Sequence, residues 1–207
     1  MRIGFMGGTF SPPHIGHLHS AKTFIDEVCL DMLIIIPAKV SPFKVNSDAT
    51  ASDEDRMEMA KLCFLPLDGK KCIVTVSDIE ISKNATSYTI ETIESLEKQY
   101  PDDELFMFVG SDMFLSLERW KRFDEIFKKC HIYTRTREDN EFETMLRTKE
   151  KYEKEYGAKV FLSDDKEIVV SSTDVRKAIS SKSHETCRNL LTDEVFGYII
   201  KGGLYFE

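Results

Sequence analysis

The 207 residues suffice for one domain with a buried core and a ligand cleft. Hydrophobic residues at 42% and charged residues at 31% exclude wholesale disorder, and no apolar run approaches the ~20 residues a membrane-spanning helix needs. A formal net charge of −8 argues against a nucleic-acid partner, because phosphate backbones are repelled unless a basic patch overrides the balance.

The chain opens as strand, glycine loop and helix. Arg2 to Met6 is apolar and ends at Gly7-Gly8, and this glycine break also argues against a signal peptide. A cytoplasmic location is therefore expected. After Pro12-Pro13, apolar residues at Ile15, Leu18, Ala21, Ile25 and Val28 mark one face of a helix. Met32 to Ile36 is an uninterrupted apolar strand, of the kind covered on both faces. Ser52 to Asp55 resembles a capping box ahead of a helix with Met57, Ala60, Leu62 and Phe64 on its inner side.

Ile73 to Val76 predicts the third strand. Ser87 can cap a helix facing inward through Ile90, Ile93 and Leu96, which Pro101 stops. Leu105 to Val109 and His131 to Thr134 are two further strands. Glu138 to Tyr156 predicts a charged surface helix, Val160 to Leu162 a sixth strand, and Thr173 to Ile200 a mostly helical end. The alternation predicts a single-domain α/β fold, a doubly wound parallel sheet with ligands at the strands' carboxyl ends. Five cysteines with no Cys-x-x-Cys pair read as reduced core residues rather than a zinc site.

Four motifs carry chemistry. In Gly7-Gly8-Thr9-Phe10-Ser11-Pro12-Pro13-His14-Ile15-Gly16-His17, two glycines at a strand end let backbone N–H groups approach a polyphosphate. The helix start that follows adds N–H donors, and His14 and His17 lie on one side of its first turn, where both could reach the same phosphate. Gly16 would leave space for the nucleotide. The pattern is neither a Walker loop nor the dinucleotide fingerprint.

The second motif, Ser171-Ser172-Thr173 with Arg176, sets hydroxyls at a helix start and a guanidinium on the same face, a phosphate-binding arrangement or an ordinary capped helix. The third, Gly110-Ser111-Asp112, places a carboxylate where ribose hydroxyls could donate to it, or where it could cap a helix. The fourth, Ser41-Pro42-Phe43-Lys44, presents one lysine after the second strand. Trp120, flanked by Arg119, Lys121 and Arg122, could stack on a heteroaromatic ring or belong to the core.

In this order the motifs resemble those of bacterial nicotinate-nucleotide adenylyltransferases, within the superfamily marked by His-x-Gly-His. The likeness runs nearly the whole chain and includes Ser87-Tyr88-Thr89, the Gly110 turn, Trp120, the Ser171 to Arg176 segment and the Gly203-Leu204-Tyr205 ending. It implies transfer of the adenylyl group of ATP to nicotinate mononucleotide, giving deamido-NAD and pyrophosphate, with Mg2+ carried on the ATP phosphates. His14, His17, Lys44 and Arg176 would be catalytic. Gly7, Gly8, Thr9, Phe10, Gly110, Asp112, Ser172 and Thr173 would bind ATP, the helical part from about 171 completing that site. Tyr88, Thr89 and Trp120, with Arg135, would contact the pyridine nucleotide.

Three departures from the family pattern stand out. Ser11 replaces a usual aspartate, Phe43 a usual histidine, and Ala38-Lys39 stands where an asparagine is common. Competing readings are another acceptor (nicotinamide mononucleotide or phosphopantetheine), a nucleotide-binding regulator without turnover, and a class I tRNA synthetase fragment. The retained His14, His17, Lys44 and Arg176 oppose the second, and the missing Lys-Met-Ser-Lys-Ser loop opposes the third. A homodimer is a further expectation, since Val195, Phe196 and Tyr198 could pack on a partner or on the core.

Overall fold

The computed structural model describes residues 1–39, 51–83, 88–136, 141–165 and 168–206. Six parallel strands form one sheet in the order β3-β2-β1-β4-β5-β6. They are β1 (Arg2–Gly8), β2 (Met32–Pro37), β3 (Ile73–Val76), β4 (Glu104–Val109), β5 (His131–Arg135) and β6 (Val160–Ser163). The chain winds outward from β1 to β3, then returns to the other side of β1 with β4. The crevice beyond the carboxyl ends of β1 and β4 is therefore the switch point, where ligands of such sheets bind.

Strand alternation sorts side chains onto two cores. Met6, Leu33, Ile35, Phe106 and Tyr133 face one side, Ile3, Phe5, Ile34, Ile36, Leu105, Met107 and Ile132 the other. The first side is covered by α1 (Ile15–Val28), α2 (Asp53–Phe64), α7 (Ser172–Ser180), α8 (His184–Leu190) and α9 (Asp193–Gly202). The second is covered by α3 (Thr89–Gln99), α4 (Ser111–Phe114), α5 (Phe123–Lys129) and α6 (Phe142–Tyr156). No described helix is long and apolar enough to cross a membrane.

Several expectations shift in detail. The inner face of α2 is Arg56, Met59, Ala60, Cys63 and Phe64, which keeps the expected Ala60 and Phe64 but replaces Met57 and Leu62. A charged residue thus occupies a core position, for the reason given below. Helix α6 is less superficial than its charge suggests, since Met145 and Tyr152 are fully buried and Tyr152 Oη donates to Phe114 O at 3.1 Å. Val195 and Phe196 pack into this chain's own core. Cys63, Cys72, Cys130 and Cys187 are buried free thiols, and burial pushes Cys63 up to about 12.

Candidate active site

The N-terminus of α7 is bonded to the loop between β1 and α1, and α4 begins at the end of the neighbouring β4. Beyond β1, Phe10 adopts a left-handed backbone (φ 49°) that turns its ring back beneath Gly8. A Cβ on Gly8 would lie 2.8 Å from that ring, so glycine is needed there for side-chain packing as well as for ligand approach. The Phe10 ring is 1% exposed and meets Phe64 and His17 edge-on at 5.3 and 5.2 Å. The ring is a core residue that supports His17, so the expected ATP contact by Phe10 would be made through its backbone.

His14 is the N-cap of α1. Its Nδ1 accepts from the His17 N–H at 3.4 Å, and the His17 Nδ1 accepts from the His14 N–H at 3.3 Å. The rings stack at 3.7 Å between centroids, 25° apart. This reciprocal cap is a histidine version of the capping box, and it withdraws two backbone donors that the helix start was expected to offer an anion. Because each Nδ1 accepts, the proton of each neutral ring resides on Nε2, the edge remote from the helix backbone. Two N–H donors are thereby set side by side.

Gly16 corrects a second expectation. A Cβ there would meet Ile168 O at 2.8 Å and the His14 ring at 3.1 Å. The glycine permits a close crossing between α1 and the approach to α7, rather than leaving open room for a nucleotide.

Helix α7 brings the second motif to the first. Ser171 caps it in a box with Asp174, whose carboxyl is held below its usual range by the Ser171 hydroxyl. Ser172 Oγ donates to Pro12 O at 2.9 Å, and Arg176 donates to Ser11 O at 2.7 Å and Thr173 Oγ1 at 3.1 Å. Sites some 160 residues apart in sequence are joined directly. Thr173 stays exposed beside Arg176. At the end of β4, Gly110 rather than Asp112 is the N-cap of α4, leaving the Asp112 carboxylate exposed on the first turn.

Tyr88 and Thr89 open α3 on the opposite side of the sheet, where Tyr88 and Trp120 pack against the second core. Lys121 Nζ sits 3.9 Å over the Tyr88 ring and 2.9 Å from Glu91, linking the segment after Trp120 to the start of α3. Arg135 does not join them. Alternation along β5 puts it with Tyr133 on the α1 side, where its side chain is 0% exposed, bonded to Asp165 at 2.9 Å and His19 at 3.2 Å. The expected contact with the pyridine nucleotide is corrected accordingly. Lys44 and Ser87 lie outside the described residues.

Comparison with known proteins agrees with this arrangement. Residues 5–178 match the family model described as cytidylyltransferase-like. The chain is 33% identical over 204 residues to a probable nicotinate-nucleotide adenylyltransferase of Carboxydothermus hydrogenoformans, covering 99% of this chain and 98% of that one. A relative of that same description from Desulfitobacterium hafniense is 34% identical, over 99% of this chain and 95% of its own. The chain belongs to the nicotinate-nucleotide adenylyltransferase family. Its fold is that of the Plasmodium falciparum nicotinic acid mononucleotide adenylyltransferase complexed with APC, with a TM-score of 0.77 at 16% identity over 99% of this chain and 96% of that one. The same parasite enzyme complexed with NaAD gives 0.75 at 16% identity, over 99% and 97%.

In this adenylyltransferase Arg56 holds the loop together, although no sequence motif marks it. Its side chain is 3% exposed, and Nη1 donates to Thr9 O at 2.8 Å and to Ala38 O at 2.7 Å. It thereby fastens the glycine loop after β1 to the end of β2. Asp53 balances the buried charge and also pairs with Lys39. Burial raises the Asp53 pKa, but hydrogen bonds from Lys39 and Arg56 outweigh it and leave the carboxyl below its usual value. In sequence Arg56 follows three acids at a helix start, where a cation normally reads as solvated.

Proposed function

We infer that this chain is a nicotinate-nucleotide adenylyltransferase, transferring the adenylyl group of ATP to nicotinate mononucleotide to give deamido-NAD and pyrophosphate. The observation that carries this reading is the convergence at the switch point of the stacked His14–His17 pair with Arg176, which bonds to the same loop. The family membership supplies the acceptor. Tyr88, Thr89 and Trp120, across the sheet edge, form the wall proposed for the pyridine ring.

The reaction needs little from the protein by way of proton transfer. The acceptor's phosphate is already anionic near neutral pH, so its oxygen attacks the α-phosphorus of ATP directly. The bond from that phosphorus to the bridging oxygen breaks in line, and pyrophosphate leaves with the electron pair. Catalysis is then positioning and charge stabilisation. The Nε2–H donors of His14 and His17, with Arg176 and Lys44, would hold the β- and γ-phosphates and stabilise charge on the departing pyrophosphate. Among the described residues no cluster of His, Cys, Asp or Glu could hold a metal. Mg2+ would arrive on the ATP phosphates, whose charge it neutralises, consistent with its preference for phosphate oxygens and water.

The test is to incubate the protein with ATP, Mg2+ and, in turn, nicotinate mononucleotide, nicotinamide mononucleotide and phosphopantetheine, measuring pyrophosphate and coupled product. Formation of deamido-NAD is expected. Turnover with another acceptor and none with nicotinate mononucleotide would overturn the assignment.

A further inference from the structure

Ser11, 1% exposed, gathers three parts of the chain. Its Oγ accepts from the Ala51 N–H at 3.1 Å and hydrogen-bonds to Tyr205 Oη at 2.9 Å. Its carbonyl accepts from Arg176 at 2.7 Å. Ala51 is the first described residue beyond the segment that carries Lys44, Arg176 comes from α7, and Tyr205 comes from the tail after α9.

The tail is shaped to deliver that phenol. Gly203 takes a left-handed conformation (φ 64°) as the C-cap of α9, and the Leu204 N–H closes onto Ile199 O at 3.1 Å. Tyr205 is itself left-handed (φ 65°), a conformation that costs a non-glycine residue energy and persists where surrounding contacts enforce it. Leu204, Tyr205 and Phe206 pack against the first core. Burial pushes the phenol up to about 12, so it remains a protonated hydrogen-bonding group through the neutral range.

We propose that Tyr205 is a positioning residue for the ATP half of the site, acting through Ser11 to set the direction of Arg176 relative to the His14–His17 pair. This rests on the reading that those three side chains hold the triphosphate. With the Ser11 side chain anchored on both sides, the peptide that receives Arg176 and leads through Pro12-Pro13 into His14 has one orientation. Without Tyr205, the Ser11 hydroxyl keeps only the Ala51 anchor, and the carbonyl that receives Arg176 is less tightly oriented. The acceptor wall at Tyr88 and Trp120 lies on the other core and shares none of these bonds.

The experiment uses the full chain with ATP, Mg2+ and nicotinate mononucleotide, comparing Tyr205→Phe, Ser11→Ala and the double variant, with Arg176→Met as the reference for the underlying reading. For Tyr205→Phe, KM for ATP should rise ~10-fold, the scale of one lost hydrogen bond, with KM for nicotinate mononucleotide changed less than about twofold. The double variant should be no worse than the poorer single one, because both singles break the same bond. Should Tyr205→Phe lose its cooperative melt, Ser11→Ala breaks the bond from the other side and carries the same comparison.

If Arg176→Met raises KM for ATP while the variant carrying the test does not, the positioning role is overturned and the triphosphate reading stands. Equal rises in both KM values, or additive losses in the double variant, would also overturn it by showing a general structural defect. If Arg176→Met leaves KM for ATP unchanged, the triphosphate reading itself fails.

Discussion

On the α1 side of the sheet, the loops that would receive ATP are tied down through their own carbonyls. Arg56 holds Thr9 and Ala38, Arg176 holds Ser11, and Ser172 holds Pro12. On the opposite side, Tyr88 and Trp120 pack against the second core, and Lys121 lies over the Tyr88 ring and makes an exposed bond to Glu91. Charged donors on buried carbonyls fix a peptide's orientation in a way that exposed ion pairs, worth little in water, do not. The contrast suits the chemistry. In-line transfer at phosphorus demands fixed donors, whereas acceptor selection, on the proposed reading, would rest on a wall of side chains that can be altered without disturbing them.

The sharpest test of the rigid half is His17→Ala, which should lower kcat by ~100-fold or more if its Nε2–H stabilises charge in the transition state. Near-wild-type turnover would reduce the stacked pair to a helix cap. Next comes Arg56→Met, which strands two loop carbonyls and leaves Asp53 with Lys39 as its remaining described cation. It should cost ~3 kcal/mol in denaturant unfolding, and a loss below ~0.5 kcal/mol would remove the distinction between the halves. Trp120→Ala should raise KM for nicotinate mononucleotide ~10-fold through lost aromatic stacking, with KM for ATP nearly unchanged. Parallel increases in both constants would show that the halves are not separable.

The smallest expected effect is a pH dependence. The Asp53 carboxyl is depressed below its usual 3.8 in the folded state, so its contribution is complete above that value and fades as pH falls through the lower folded pKa. Thermal melts should therefore show wild type and Asp53→Asn differing most near neutral pH and converging in acid. A gap that is constant with pH would mean the carboxylate's charge contributes nothing to holding Arg56.

Much of this architecture was legible in the chain itself. The apolar runs at Met32 to Ile36 and Leu105 to Val109 read as buried strands, and the six strands predicted are the six observed. Glycines at a strand end followed by histidines on one helical turn were equally plain, and the expectation of phosphate chemistry rests on them. The burial of Arg56 was not legible, because its sequence neighbours are the acids of an exposed helix start and its partners are backbone carbonyls from two other loops. Nor was the displacement of Arg135. Its position on β5 could be counted, but whether it faced Tyr88 or Asp165 depended on which helix lay over that face.

The histidine pair shows the division most clearly. Sequence spacing alone determined that His14 and His17 share one side of the first turn of α1, since that follows from helical periodicity. Tertiary structure decided which donors they present. The extended backbone at His14 lets the two rings cap each other, and the core ring of Phe10 packs against His17. Arg176 is brought to the same loop by a helix that begins more than 150 residues later. Local periodicity places residues on a face, but only the packing of distant segments sets hydrogen-bond partners, and those partners shape the site proposed for the phosphates.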